Sequence, residues 1–391
     1  MLFSNKVLLT TTAVLGLASG SAVLAQSDPC KTAHSDEKSC NADTKTGGGC
    51  VWCKCGALPS SCWTLADSKK LPPAVYQCDS PAQPTYTRIP FGREVLSHCL
   101  HEVPSGAHSY AQPDGSTRVV APDGSVRTIP KCVGLNGKDH PVFRMSKKTK
   151  TNTHELGAKV TASGGPLPPD YDGWLSYTSL NVTDVGKTGG FDSFTSTMSV
   201  PDKPQGEPQV LYFFPGLQNE DWIPKVDPLP TDSDPFDIIQ PVLQYPGGFF
   251  SSGWELKSWY VTINAGALYS SGMSVKEGDA ILCNMTRTGE DSWVVKGQVG
   301  DKVQTQSATN ADRLKVQPWA YSAVTECYGC DGCETFPTKP ITFTDNKLYQ
   351  AGELVKVAGS DWVVNAKPPA KFECHEKTVV AANGDATTSF Q

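Results

Sequence analysis

The chain has 391 residues and a formal net charge of −6, with 34 Lys and Arg against 40 Asp and Glu. With a pI near 5.7, that balance argues against nucleic acid as a partner, because phosphate backbones are bound by a basic face. The length leaves room for more than one domain at about 100–200 residues each, and 14 cysteines, an even number, fit an oxidising compartment.

Residues 1–25 read as a secretory signal: Lys6 supplies the positive start, Val7 to Leu17 an interrupted apolar stretch, and Val23-Leu-Ala25 a small-residue cleavage site. No later stretch reaches about 18 apolar residues, so a secreted protein with no membrane span is expected. Asn181-Val-Thr183 and Asn284-Met-Thr286 are acceptor tripeptides for glycosylation in an exported chain.

Residues 26–78 carry Cys30, Cys40, Cys50, Cys53, Cys55, Cys62 and Cys78. So short a segment cannot build a sufficient apolar core, and a module stapled by disulfides is expected. Zinc at Cys50-Val-Trp-Cys53-Lys-Cys55 is the weaker alternative, because no His lies at finger-type spacing. Seven is odd, so one cysteine must pair outside the module, with Cys99 or Cys132 as the expected partner. His98-Cys-Leu-His101 reads as an incidental pair beside a disulfide.

Residues 79–165 are locally basic, with 11 Lys and Arg against 7 Asp and Glu. Pro113-Asp-Gly-Ser-Thr-Arg118 is echoed by Pro122-Asp-Gly-Ser-Val-Arg127; the Asp-Gly turn signals with Val119, Val120 and Ile129 predict a pair of short hairpins. The stretch reads as an exposed linker. The sharper alternative is a basic pro-segment covering an acidic catalytic domain until it is cut.

From 166 to 375 the pattern is all-β. Strands are predicted at 191–200, 209–214, 238–245, 255–263, 280–287, 293–299, 303–308, 319–327, 341–343 and 362–365, rich in Val, Ile, Thr and aromatics and separated by Gly, Asp, Asn and Pro. About 200 residues of antiparallel strand make one two-sheet β-sandwich. Residues 376–391 read as a polar, frayed tail.

No His falls between 155 and 374. Ser–His and Cys–His mechanisms are therefore not available within the sandwich unless a His arrives from the N-terminal half, and a His-rich metal site inside it is excluded on the same ground. Cys327-Tyr-Gly-Cys330-Asp-Gly-Cys333, with Cys283 and Cys374, is read as disulfide-forming. What remains is Gln240 and Glu326, polar residues in the apolar runs Asp237-Ile-Ile-Gln-Pro-Val-Leu-Gln-Tyr245 and Trp319-Ala-Tyr-Ser-Ala-Val-Thr-Glu-Cys327, where each is costly without a partner or a job. Strict alternation puts Ser322, Val324, Glu326 and Tyr328 on one face; Ile238, Gln240, Val242 and Gln244 on another; and Tyr212, Phe214, Gly216 and Gln218 on a third.

At these residues the sequence resembles the glutamic peptidases of fungi, the eqolisins, over about residues 172–345. Gly173-Trp174, Phe194-Thr-Ser-Thr-Met-Ser-Val-Pro-Asp202, Phe214-Pro-Gly-Leu-Gln-Asn219, Ile239-Gln-Pro-Val-Leu-Gln-Tyr245, Ser258-Trp-Tyr260, Val275-Lys-Glu-Gly-Asp-Ala-Ile281 and Thr325-Glu-Cys327 follow the family's segments in order. The resemblance implies a concanavalin-like sandwich of two seven-stranded sheets, acid endopeptidase activity without a cofactor or metal, and a Gln240/Glu326 dyad. Glu326 would activate a water and Gln240 would hold the oxyanion. It implies Phe214, Gln218, Gln244 and Trp259 as substrate-binding neighbours. Phe214 stands where the family has Trp, Gln218 and Gln244 where it has Asp, and the segment Asn219 to Asp237 is enlarged. The expected partner is a protein or peptide substrate of a monomeric enzyme. The alternative is an inactive sandwich binding cell-wall polysaccharide or protein, with Trp222, Trp254, Trp259 and Trp319 as stacking platforms. A polysaccharide-cleaving enzyme would need an Arg in the groove, and the strands supply only Arg287.

Overall fold

The computed structural model describes residues 28–43, 46, 49–55, 59–71, 76–78, 85–134, 142–144, 173–206, 208, 210–219, 236–246, 253–262, 265–311, 313–330, 333–366 and 376–390. The signal segment 1–25, the basic run after Arg144, Trp222 and Cys374 lie outside them. The chain divides into two units, Met1–Pro81 and Ala82–Gln391.

In the first unit, cross-links replace a core. Short helices α1 (Pro29–Ala33), α2 (Glu37–Ala42) and α3 (Leu65–Ser68) surround strands β1 (Cys50–Cys55), β2 (Ser61–Thr64) and β3 (Tyr76–Cys78). Cys30–Cys50, Cys40–Cys62 and Cys53–Cys78 are disulfides. They consume the sulfurs of Cys50 and Cys53, so the zinc alternative loses these ligands. Asp28 caps α1 and reaches across to β2, its carboxylate accepting from the backbone N–H of Cys30 (2.9 Å) and Thr64 (2.9 Å).

The second unit opens with β4 (Tyr86–Ile89), β5 (Arg93–Leu96), β6 (Leu100–Val103), β7 (Ala107–Ala111), β8 (Thr117–Val120), β9 (Val126–Ile129) and β10 (Phe143–Arg144). It continues with β11 (Gly173–Asn181), β12 (Ser193–Ser199), β13 (Val210–Gln218), β14 (Asp237–Tyr245), β15 (Trp254–Thr262), β16 (Gly266–Ser270), β17 (Met273–Val275) and β18 (Ala280–Arg287). The last strands are β19 (Ser292–Val299), β20 (Lys302–Thr309), β21 (Trp319–Tyr328), β22 (Ile341–Gln350), β23 (Glu353–Leu354), β24 (Val363–Ala366), β25 (Lys377–Val380) and β26 (Ala386–Ser389).

Two large sheets form among the described residues. One has the order β24-β11-β21-β13-β14-β15-β16-β6, with β17 also on β15; the other has β25-β26-β22-β12-β18-β19-β20-β7-β8-β9, with β23 on β22. Leu217, Ile239 and Tyr260 of the first sheet meet Phe194, Trp293 and Val295 of the second, which makes the core of a β-sandwich. The sheets approach closely where Gly297 faces Leu256: a Cβ at Gly297 would lie 2.5 Å from the Leu256 Cδ2.

The boundaries of the sandwich differ from the sequence reading. Of the segment read as a linker, the described residues 85–134 and 142–144 are not separate from the sandwich. β6 adds in parallel to β16, and β7 adds in parallel to β20, so this segment supplies edge strands to both sheets. The expected hairpins β7–β8 and β8–β9 are present but belong to the larger sheet. Residues 376–391 are not a frayed tail: β25 and β26 pair with each other and β26 with β22, and Phe390 stacks on Phe336 with centroids 4.7 Å apart. Both corrections have one cause. Short polar strands carry little hydrophobic signal, and they are fixed by the open edges they cover. Cys99 pairs with Cys132 and with nothing in the first unit. Cys327 pairs with Cys330, Cys333 is also disulfide-bonded, and Cys283 is a buried free thiol.

Gly297→Ala should cost about 1–3 kcal/mol of stability through overpacking and so lower the melting temperature. Adding Leu256→Val should restore part of the loss, because it removes volume at the same contact. Additive losses in thermal melts of the two single variants and the double variant would contradict this account of the sheet contact.

Candidate active site

Glu326 lies on β21 and Gln240 on β14, with β13 between them. The backbone of this region departs from a regular ladder in two places. On β21, Ala323 takes a φ of 50°, and the pairing with β13 shifts between Phe214/Val324 and Gly216/Tyr321. This is a bulge. It reverses the side-chain alternation, so Tyr321, not Ser322, shares the face of Val324 and Tyr328. The Ser322 hydroxyl instead donates to Asn346 on β22 of the other sheet (3.3 Å). The expectation that Ser322 faces the groove is corrected by that one inserted residue.

The second departure is between β13 and β14. Their ladder pairs stop at Phe213/Leu243 and resume at Leu217/Ile239. Pro215 and Pro241 lie in this gap, and neither has an N–H to give. Gly216 also lies there, and a Cβ built on it would stand 3.6 Å from the Gln240 Oε1. The floor beside Gln240 is therefore free of both a side chain and ladder bonds.

The flanks of Glu326 are aromatic. Trp174 and Tyr212 are its partners on the two neighbouring strands. Trp174 in turn packs edge-on against Phe214 (5.5 Å) and Tyr321 (5.5 Å). Gln240 is paired with Trp259, which stacks on Tyr269 at 4.8 Å. These side chains form the core on the outer face of the first sheet. Glu326 and Gln240 are both fully buried.

What covers them is the chain itself. The turn between β4 and β5, Pro90-Phe91-Gly92, enters this face. The Gln240 Nε2 donates to the Pro90 carbonyl, and the Gly92 N–H donates to the Glu326 Oε1 (2.7 Å). The two side chains thus reach backbone atoms of one turn, atoms that lie no more than about 5 Å apart along the chain. The Tyr328 hydroxyl is 2.6 Å from the Glu326 Oε1, and within reach of the Ile89 (3.0 Å) and Arg93 (2.9 Å) carbonyls. With one proton it serves one acceptor at a time. The Glu326 Oε2 and Gln240 Oε1 find no hydrogen-bond partner among the described residues.

Burial under aromatics raises the Glu326 carboxyl from an ordinary 4.5 to about 8, against the opposing pull of the Tyr328 hydroxyl, the Gly92 and Phe91 amides and the Arg93 charge. Beneath the turn the group is an uncharged acid at neutral pH. Asp237, at the start of β14, is likewise fully buried and raised to about 7 by burial; Tyr260 donates to it at 2.5 Å.

The other candidates lie at different depths. Phe214 is buried against Trp174, and Trp259 lies beside Tyr212. Gln218 is fully buried at the far end of β13, with neither amide atom hydrogen-bonded among the described residues. Gln244 is half-buried and turned to the Pro246 carbonyl (3.1 Å). Trp254 is buried in the inter-sheet core, which removes it as a stacking platform. Asn181 caps a 3₁₀ turn and Asn284 lies mid-strand on β18, both partly exposed. The groups of three that could hold a metal, Cys30/Cys50/Cys62, His98/Cys99/Cys132 and His34/Asp43/Cys50, each draw on sulfurs already in disulfides. Sequence reasoning placed Tyr328 and Tyr212 on the groove faces without giving them a role, and it did not select the Pro90–Gly92 turn. The turn was signalled: Pro-x-Gly between two short runs with Ile89, Val95 and Leu96 is a hairpin pattern.

Stability should depend on pH through Glu326. The folded state binds a proton that the unfolded state gives up above about pH 4.5. Stability is therefore full at acid pH and declines between about pH 4.5 and 8. At about 1.4 kcal/mol per pH step, the loss is on the order of 4–5 kcal/mol by pH 8. Asp237 acts in the same direction up to about pH 7. Glu326→Gln should remain neutral throughout and flatten most of the decline of melting temperature between pH 5 and 8. A wild-type protein whose melting temperature rises over that range would refute it.

No protein-family model matches the chain, and no curated protein matches it. Among solved structures, it is similar to scytalido-glutamic peptidase with a transition-state-analogue inhibitor, at 15% identity and a TM-score of 0.40 over 56% of this chain and 98% of that one. It is also similar to SCP-B, a member of the eqolisin family of peptidases, in complex with the tripeptide Ala-Ile-His, at 16% identity and a TM-score of 0.39 over 56% and 98% of the two chains. Bacillus licheniformis β-glucanase is a third, at 12% identity and a TM-score of 0.23 over 52% and 69%. These are distant likenesses of a β-sandwich, and the functional reading rests on this chain's own residues.

Proposed function

We propose that the protein is an exported acid hydrolase that cleaves peptide bonds with Glu326 and Gln240. The observation that carries this is the convergence of a buried carboxyl and a buried carboxamide, from strands two apart, on the backbone of one peptide turn. A peptide backbone is the substrate chemistry of the proposed reaction. The disulfides of both units and the sequence's export signal support an extracellular site of action.

The chemistry follows from what each group can do once water replaces the turn. Readmitting water lowers the desolvation that holds Glu326 neutral, and the carboxylate becomes available as a general base. It takes a proton from a water that attacks the substrate carbonyl. The Gln240 Nε2 donates to the carbonyl oxygen as it gains negative charge. Glu326 then returns the proton to the leaving amine. The Tyr328 hydroxyl, 2.6 Å from the Glu326 Oε1, holds the carboxyl in its rotamer and favours its charged form.

The test is hydrolysis of an unfolded protein at about pH 3–4, by the wild-type chain and by Gly92→Pro, which cannot keep the turn at Gly92. Adding Glu326→Gln or Gln240→Ala to the more active form should each lower the rate by about 10²-fold or more, the scale of losing a general base or an oxyanion donor. Rates equal to those of the parent form would refute the assignment.

A further inference from the structure

Resting on that reading, we propose that the Pro90–Arg93 turn is a built-in inhibitor of the Gln240/Glu326 site, and that the site opens when the β4–β5 hairpin withdraws while β6 and β7 stay in the sheets.

The turn offers the site what a substrate would offer. A peptide carbonyl, that of Pro90, takes the Gln240 amide. A peptide N–H, that of Gly92, takes the Glu326 carboxyl at 2.7 Å. The turn's geometry keeps it from being cut. Gly92 has a φ of 70°, in the left-handed region, and the Phe91 N–H closes back on the Ile89 carbonyl at 2.7 Å. The backbone is folded where a substrate lying along the strands would be extended. The Glu326 Oε1 is also filled by the Gly92 N–H and the Tyr328 hydroxyl, which leaves no place on that oxygen for the attacking water.

Side chains hold the tip in place. Phe91 stacks on Phe236, the residue before β14, with centroids 4.6 Å apart and planes 7° from parallel. Phe143 packs edge-on against both rings, at 6.2 Å from Phe91 and 5.5 Å from Phe236. Arg93 is buried and turns its Nη1 back to the Gly92 carbonyl (2.8 Å). Two hydroxyls of the sheet reach the hairpin: Tyr212 donates to the Arg88 carbonyl (3.1 Å), and Tyr328 reaches Ile89 and Arg93.

The hairpin is a separable piece. β4, β5 and β10 make a small three-stranded sheet of their own, with no ladder to either large sheet. The anchors follow it in the chain: the Cys99–Cys132 disulfide, the β6–β16 ladder and the β7–β20 ladder. Withdrawal of the hairpin breaks side-chain contacts and a few hydrogen bonds and leaves both sheets whole. This differs from a detachable pro-segment, whose loss would strip an edge strand from each sheet.

Two measurements decide it: residue-resolved amide exchange, and the hydrolysis assay above. In the wild-type chain the Gly92 amide should exchange at least about 100-fold more slowly than an unprotected glycine amide of the same sequence, as it would in a latch about 99% closed. Gly92→Pro, which loses both the positive φ and the N–H, and Phe91→Gly, which loses the stacked ring, should each raise hydrolysis at least about tenfold, the gain from an open population of 10% or less. Glu326→Gln added to either should remove the gain. Fast exchange at Gly92 overturns the latch, as does a wild-type rate equal to that of both variants. If every form is silent, binding decides. A synthetic peptide of residues 88–95 that quenches or shifts the tryptophan fluorescence of Gly92→Pro, with Gly92 protected in the wild type, keeps the latch and refutes the hydrolase. No binding overturns the latch.

Discussion

A carboxyl group and a carboxamide buried under aromatic rings must find polar partners or be neutralised, and around Glu326 both occur. The carboxyl is pushed to about 8 and so is uncharged at neutral pH. One of its oxygens, Oε1, is met by a tyrosine two residues on and by a glycine amide from more than 200 residues earlier in the chain. Gln240 solves the same problem with a carbonyl of the same turn. The N-terminal part of the second unit is therefore not an ornament on the sandwich. It supplies the polar atoms that make this sheet face tolerable as a core.

The backbone irregularities serve the same end. A regular β13–β14 ladder would have placed side chains and paired amides beside Gln240; Pro215, Gly216 and Pro241 remove them. The bulge at Ala323 turns Tyr321 to the groove side while leaving Glu326 between Trp174 and Tyr212. Both devices trade ladder hydrogen bonds for a shaped surface, a cost that sheets commonly bear near functional sites. The parallel additions of β6 and β7 have a second consequence. They cover the open edges of β16 and β20, which would otherwise invite pairing with another chain.

Much of the sandwich was legible because its strands are long and either buried along their length, as β13, β14, β15 and β21 are, or buried on alternate residues, as β12, β18, β19 and β20 are. β18 runs over Ala280–Arg287 as read, and β15, β19 and β20 differ by a residue or two at their ends. The reading missed β11 (Gly173–Asn181) and gave only the start of β22 (Ile341–Gln350), and it failed again where strands are short and polar. Lys377-Thr-Val-Val380 and Ala386-Thr-Thr-Ser389 carry little hydrophobic signal, although the Asn383-Gly384 pair between them marks a hairpin. Their place is set by the exposed edge of β22. The face of Ser322 was misread because alternation assumes no inserted residue, and a bulge on β21 is not visible in composition.

The sequence alone determined that this is an all-β chain with a cross-linked N-terminal module, that residues 155–374 carry no histidine, and that Gln240 and Glu326 are polar groups in apolar strands. Each of these is a local property of residue type and period. Tertiary structure decided what surrounds the pair: which strand lies between them, which side of the bulge each side chain takes, and that the turn at Pro90–Gly92 fills the space above them. Those contacts join residues 150 and 234 positions apart. At that separation no local pattern specifies a partner; the sum of sheet edges, buried aromatics and unsatisfied polar atoms does.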